Sequence, residues 1–300
     1  MPLTLVTGAT GLLGSELVRQ LVEANEPVAI LRRPTSKLDL LGPAADAVEH
    51  RIGDVTDVDS VHDAMQDVTR VYHLAAYIGF GGASDAEKLH RVNVGGTANV
   101  VNAAREAGVR RLVHTSSIAA LGRTGTEDDP IDESAIWQPS PENTLYAKSK
   151  YEAELEIHRG IAEGLDAVMV NPSLIFGPGR PEENTMQIAL KVKNGRLPAY
   201  PTGGTCVVDS ADVASGHRRA MLHGQTGERY VLGGENLRWK AIFEALAKAF
   251  GVKPPQRPMP PRIAYAGAIV MEAAAKLFRR PALVTRETVR TANRFYRYSN

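Results

Sequence analysis

Three polar side chains stand in the order needed to move a proton to or from an oxygen atom. The segment "HTSSIAALG" carries the adjacent serines Ser116 and Ser117, and "NTLYAKSKYEAELE" carries Tyr146 and Lys150. Tyr146 and Lys150 are four positions apart, so on a helix both project from one face. A phenol titrates near ~10 and is a poor base at neutral pH. A neighbouring lysine, helped by a bound positive charge, favours the phenolate, and a serine hydroxyl beside it can hold the reacting oxygen. Such a pair is common on ordinary helices, so its meaning depends on what else the fold brings to it.

The start of the chain suggests what that is. In "TLVTGATGLLGSELV", residues 4–18, a strand-like run leads into Gly8, Gly11 and Gly14, and Leu12, Leu13, Leu17, Val18 and Leu21 then recur at helical spacing. Strand, tight turn and helix in this order place unpaired N–H groups and the positive end of a helix dipole at one point. A dinucleotide pyrophosphate fits there, with Gly8, Thr10, Gly11, Leu12, Leu13 and Gly14 as its cradle. An oxidised nicotinamide would supply the positive charge. The parts then suffice for hydride transfer at a carbonyl, with Tyr146 protonating the oxygen.

The second strand ends "ILRRPTSK". Arg32 and Arg33 sit where a carboxylate would select NAD, and Lys37 follows. Cations there suit the 2′-phosphate, so NADP(H) is the preferred cofactor and NAD(H) the other option, unless the arginines are merely solvated. Asp54, just after the third strand, can meet the adenine amino group or cap the next helix. Leu74, Ala75 and Ala76 in "YHLAA" allow close backbone approach or simple helix–sheet packing. Val55 and Thr115 are further candidate cofactor contacts on the same strand edge, and Tyr146 and Lys150 are cofactor contacts as well as chemical residues.

Strand-like segments at 3–7, 27–32, 47–52, 70–74, 109–115 and 166–170 alternate with helical periodicity near 12–24, 57–67, 84–107 and 143–163. That rhythm specifies an α/β fold with a doubly wound parallel sheet. Residues 1–170 with about 205–232 are expected to form the cofactor domain, and about 171–204 with 233–300 a smaller, mostly helical substrate lobe.

The 300 residues carry 35 basic and 34 acidic side chains, which argues against nucleic acid as a partner. The single cysteine, Cys206, excludes an intramolecular disulfide, and the histidines show no metal-ligand spacing, so no metal is expected. No leader precedes the first strand, so a cytoplasmic location is expected. The most apolar segment, 263–280, is interrupted by Glu272 and Lys276. It reads as a helix over a substrate pocket or subunit face, with a membrane surface as the lesser alternative.

The ordered set "TGATGLLG", "GDVTD", "HLAA", "NVGGTANV", "HTSSIAALG", "YAKSK", "NPSLIFGPG" and "VVDSADVASGH" resembles the extended short-chain dehydrogenases/reductases of the NAD-dependent epimerase/dehydratase superfamily. "LRRPTSK", "NPSLIFGPG" and "ERYVLGGENL" are nearest its dihydroflavonol-4-reductase-like branch. The resemblance covers almost the whole chain. It implies a Rossmann-type sheet, Ser117 rather than Ser116 as catalytic serine, Asn93 as a cofactor-proximal or helix-packing residue, and Asn171, Pro172 and Ser173 as a loop over the nicotinamide. It also implies a homodimer through the helices at 84–107 and 143–163. Similar chains continue past "RFYRYSN", so this one reads as incomplete or as a short form.

The function expected is NADP(H)-dependent reduction of a small, fairly apolar carbonyl substrate. Pocket candidates are Tyr77, Ile78, Phe80, Leu121, Met186 and Tyr200. Arg180 and Asn184 could instead meet a diphosphate, which keeps a nucleotide-sugar epimerase or dehydratase as the alternative. A non-catalytic NADP(H) sensor would have no need of the proton donor.

Overall fold

The computed structural model describes residues 2–79, 85–122, 129–277 and 285–299. The cofactor half is laid down in alternation: β1 (Leu3–Thr7), α1 (Leu12–Glu23), β2 (Val28–Arg32), β3 (Glu49–Ile52), α2 (Val58–Ala64) and β4 (Val68–His73). Then come α3 (Ala86–Leu89), α4 (Gly96–Glu106), β5 (Arg111–Thr115), α5 (Leu145–Ala162) and β6 (Ala167–Pro172). Further on, α7 (Ser210–His223) and β9 (Arg229–Leu232) complete it.

The seven strands run in the order β3-β2-β1-β4-β5-β6-β9, and every pairing is parallel. The order reverses between β1 and β4, and a ligand crevice opens at such a switch, outside the carboxyl ends of the strands. Apolar strand residues are buried on both faces, as a parallel sheet requires. Leu5, Val71 and Leu112 pack with Val100 and Ile157 on one side, while Val6, Ile30 and Val113 pack with Leu17, Leu21 and Ala214 on the other.

Two local departures from the expected elements have clear causes. The predicted helix over 84–107 contains a π-helical turn, His90–Gly95, between α3 and α4. Such wide turns shift a side chain out of the α-helical register, and here Asn93 sits within it. The helix expected at 57–67 ends at Ala64, followed by Asp67 with φ of 60°.

The part of the chain outside the seven-stranded sheet holds β7 (Leu174–Phe176), α6 (Asn184–Lys193), β10 (Glu235–Arg238), α8 (Trp239–Phe250), α9 (Pro261–Leu277) and α10 (Arg286–Ala292), together with β8 (Gly204–Asp209), which was expected beside the cofactor domain and pairs with β7 and β10 instead. Beside these helices it carries a three-stranded sheet, β10-β8-β7, which the sequence pattern did not suggest. The buried Cys206 packs there with Leu121, Ile131, Tyr296 and Tyr298.

Candidate active site

The glycine turn has a distinct reason at each position. Gly8 has φ of +71°, and a Cβ there would stand 2.6 Å from Ala75 N. A Cβ on Gly14 would stand 2.1 Å from Gly8 O, so these two are required by the chain's own packing. Gly11 is different: the nearest atom to a Cβ would be 3.6 Å away. Its bare Cα therefore leaves room outside the protein, at the N-cap of α1, where no side chain caps the helix and no acidic residue lies in the first turn. The N–H groups that follow fit a pyrophosphate.

One group contests that position. Glu183 hydrogen-bonds the Leu12 backbone, and burial pushes its carboxyl above the usual range. A carboxylate at this helix end competes with phosphate for the same donors. Glu183→Gln is therefore expected to tighten cofactor binding about ten-fold by removing a like charge. Calorimetric titration of the two proteins checks this, and equal affinities would mean that Glu183 does not occupy the phosphate position.

The basic residues after β2 are not equivalent. Arg32 donates to His50 Nδ1 at 2.8 Å, and Lys37 pairs with Glu182 at 3.0 Å. Arg33 is exposed and pairs loosely with Asp54 at 4.0 Å. Asp54 does not cap α2, whose N-cap is Asp57; its Oδ1 accepts from the Thr56 N–H and hydroxyl. Arg180 bonds Asp39 through both carboxylate oxygens and donates to Thr10 O and Lys37 O. It is thus engaged across the edge of the cleft rather than free for a diphosphate. Phe80 lies outside the described residues, as does the side chain of Asn184.

A directional chain of hydrogen bonds holds the "HLAA" segment. Ala75 N–H donates to Thr7 Oγ1 at 3.2 Å, and Thr7 Oγ1 lies 2.7 Å from His73 Nδ1. His73 Nε2 lies 3.0 Å from Thr97 Oγ1, which itself donates to Asn93 O at 2.6 Å. This order makes His73 a neutral Nε2–H tautomer, and burial pushes its pKa down to about 3. Asn93 then grips the Tyr77 backbone twice and donates to Ser149 Oγ, which donates to Tyr146 O. The π-turn thereby ties the segment after β4 to the helix that carries Tyr146. Val55 and Leu121 are buried in the core, Leu74 is half-buried, and Ala76 is exposed.

The three chemical residues do converge. Thr144 caps α5, accepting from Ala147 N at 2.9 Å, which fixes where Tyr146 and Lys150 begin their turn. The Ser117 and Tyr146 hydroxyls are hydrogen-bonded to each other. Ser117 Oγ also accepts from Ala119 N at 3.2 Å, leaving its proton for the phenol oxygen. The Ser116 hydroxyl is buried and has no partner among the described residues. Burial pushes the Tyr146 phenol up to about 12, against the pull of Ser117, so it is protonated at neutral pH. Lys150 is 2 % exposed, donates to Thr115 O at 2.7 Å, and is pushed down to about 8 by burial. Thr115, expected against the cofactor, turns its hydroxyl to His217 Nε2 at 2.7 Å instead.

Residues 4–233 match the NAD dependent epimerase/dehydratase family. The chain belongs to this family. It is 37 % identical over 262 residues to the putative dihydroflavonol 4-reductase of Synechocystis, covering 85 % of this chain and 74 % of that one. Sterol demethylase protein B of Methylococcus capsulatus is 36 % identical over 278 residues, with coverages of 92 % and 83 %. The crystal structure of gox2253 superposes with a TM-score of 0.83 at 37 % identity, covering 100 % of this chain and 90 % of that one. The protein is thus an NAD(P)-dependent enzyme of the extended short-chain dehydrogenase/reductase type. The expected fold and family are borne out.

Within this epimerase/dehydratase-family site, one buried acid escaped the sequence reading. Glu154 lies one helical turn beyond Lys150 and is only 2 % exposed. It accepts from Asn171 Nδ2 at 2.7 Å and pairs with Arg229 at 3.5 Å. Asn171 Nδ2 also donates to Ser117 O at 3.0 Å, so the acid steadies the serine from behind. Its charge raises the pKa of Lys150 against the larger effect of burial. A third polar position on the Tyr146–Lys150 face was the available signal. Asn171 Oδ1 and Ser173 Oγ are buried without partners among the described residues at the carboxyl end of β6, where the fold leaves its crevice. These unsatisfied acceptors and donors, with the open Gly11, fit a polar cofactor above them.

Glu154→Gln keeps the amide-to-Asn171 contact but removes the charge. Lys150 is then expected to lose its proton at lower pH, shifting the alkaline limb of the kcat profile down by about one unit. The sign follows from the ammonium being present only below the lysine's pKa. An unshifted limb would show that Glu154 does not support the charge on Lys150.

Proposed function

We propose that the enzyme uses NADP(H) to reduce the carbonyl of a small, fairly apolar substrate. The observation that carries this reading is the Ser117–Tyr146 hydroxyl pair, with the phenol held protonated by burial and Lys150 one helical turn further along α5. A protonated phenol is an acid, and carbonyl reduction needs one at the oxygen. Gly8, Gly11 and the start of α1 would hold the pyrophosphate, and Arg33 the 2′-phosphate. Bound there, the nicotinamide supplies the hydride.

The chain's own residues do the rest. Ser117 holds the carbonyl oxygen, and Tyr146 gives it a proton. Lys150, fixed by Thr115 O, places a positive charge behind the phenol as negative charge develops. Apolar surface is available nearby: Trp137 lies 3.7 Å from where a Gly122 Cβ would stand and stacks on Tyr151 at 4.6 Å. The relatives named for a dihydroflavonol and a sterol support a ring-bearing, weakly polar substrate.

Titration of the cofactor-free protein with NADPH and NADH, followed by absorbance assays on ring-bearing ketones, tests the reading. Preference for NADPH with ketone-dependent oxidation is the expected result. Tight, non-dissociating NAD with turnover of a nucleotide sugar would replace it by epimerisation or dehydration.

A further inference from the structure

Two adjoining segments outside the seven-stranded sheet are charged out of proportion to the rest of the chain. Residues 186–200 and 245–271 contain Lys191, Lys193, Arg196, Lys248, Lys253, Arg257 and Arg262, and no aspartate or glutamate. The whole chain is almost balanced, at +1. Among the described residues none of the seven is in an ion pair, whereas Lys240 on the same helix as Lys248 pairs with Glu244.

The two segments form a single surface. Val192, Leu197 and Tyr200 pack with Phe243, Ala247 and Val252 in one apolar cluster. Tyr200 N donates to Arg257 O at 3.0 Å, and Met259 N to Tyr200 O at 2.8 Å. A cleft of about 410 Å³ runs between them, lined by Gly195, Leu197, Lys253, Pro254 and Arg257 among others.

Helix-end electrostatics account for part of this charge, because Lys191, Lys193 and Lys248 sit in the last turns of α6 and α8. They do not account for Arg196, Lys253 or Arg257, which lie outside helices. Arg262 lies in the first turn of α9, the end at which a cation is disfavoured.

Helix α9 leaves this cleft three residues after Pro258, which bridges to Tyr200. It carries exposed aliphatic side chains: Ile263 at 62 %, Ile269 at 47 % and Val270 at 67 %. Ala266, Gly267 and Ala273 are exposed beside them. No helix of the described residues is long and apolar enough to cross a membrane.

We propose that this face docks the enzyme on an anionic lipid surface, with the basic cleft against phosphate headgroups and the exposed side of α9 at the acyl boundary. Cations confer attraction to anionic lipid, and aliphatic side chains at the end of a basic patch add the apolar area that makes it persist. Nucleic acid would use the same charge but favours aromatic stacking platforms. Of the aromatics here, Phe250 already lies under Lys193, 5.7 Å from its ammonium.

The test is co-sedimentation of the full chain with vesicles of phosphatidylcholine, alone or mixed with phosphatidylglycerol. Binding is expected only to the anionic vesicles and is expected to fall at high salt. Lys253→Ala with Arg257→Ala should weaken it by about ten-fold or more. Ile263→Asp with Val270→Asp, both at exposed positions, should weaken it further in the same vesicles. Unchanged circular dichroism and NADPH binding would show that these variants fold. Absence of binding to anionic vesicles, equal binding by the variants, or binding to mixed-sequence DNA in place of vesicles would each overturn the proposal.

Discussion

Tyr146→Phe is expected to lower turnover by about a hundred- to ten-thousand-fold while leaving cofactor affinity nearly unchanged. The ring keeps its volume and α5 keeps its cap at Thr144, so the helix has no reason to move. What disappears is a hydroxyl bonded to Ser117 and held protonated by burial, with a pKa of about 12. The proposed cofactor cradle lies on the β1–α1 turn and the end of β2, on other elements than α5. Steady-state kinetics beside calorimetric titration separate the two effects. Retained turnover would remove Tyr146 as the acid, and an equal loss of cofactor affinity would make it a binding residue instead.

Arg33→Ala is expected to weaken NADPH by about ten- to a hundred-fold and NADH by less than about two-fold. The argument turns on which cation is free. Arg32 spends its Nε–H on His50, and Lys37 is matched by Glu182 across the cleft edge. Arg33 is exposed just past β2, and its guanidinium has only a loose ion pair with Asp54, 4.0 Å away, among the described residues. A 2′-phosphate placed there would gain a charge-assisted contact that NADH lacks. Arg32→Ala, by the same argument, should cost less. Equal losses for both cofactors on changing Arg33 would show that the discrimination lies elsewhere.

Both effects concern residues that were legible in the sequence, though not with the same completeness. Tyr146 and Lys150 stand in fixed helical register, and the three glycines punctuate a strand and a helix, so their placement needs only local geometry. The alternation of strands and helices determined the parallel sheet as well, because each apolar period dictates which faces must be buried. Periodicity could not show the three-stranded sheet of the small lobe. Its strands are three to six residues long and far apart in sequence, and they become a sheet only by pairing with one another.

Contacts between distant segments were equally invisible. Arg32 and Arg33 are adjacent and chemically alike, and only β3, by placing His50 beside Arg32, makes them different. Thr115 ends its strand at the expected edge, yet His217 on α7 draws its hydroxyl away. Glu154 looked like one more charge on an amphipathic helix until the sheet put Asn171 and Arg229 against it. Family, sheet, glycine turn and the shared helical face of Tyr146 and Lys150 were all readable in the chain alone, because each is written in local spacing. Which partner each cation after β2 takes, which acid lies behind Lys150 and which carboxylate meets the start of α1 came from packing. Those outcomes depend on the side chain that arrives from another strand, and a buried polar group takes whichever partner the packing brings within reach.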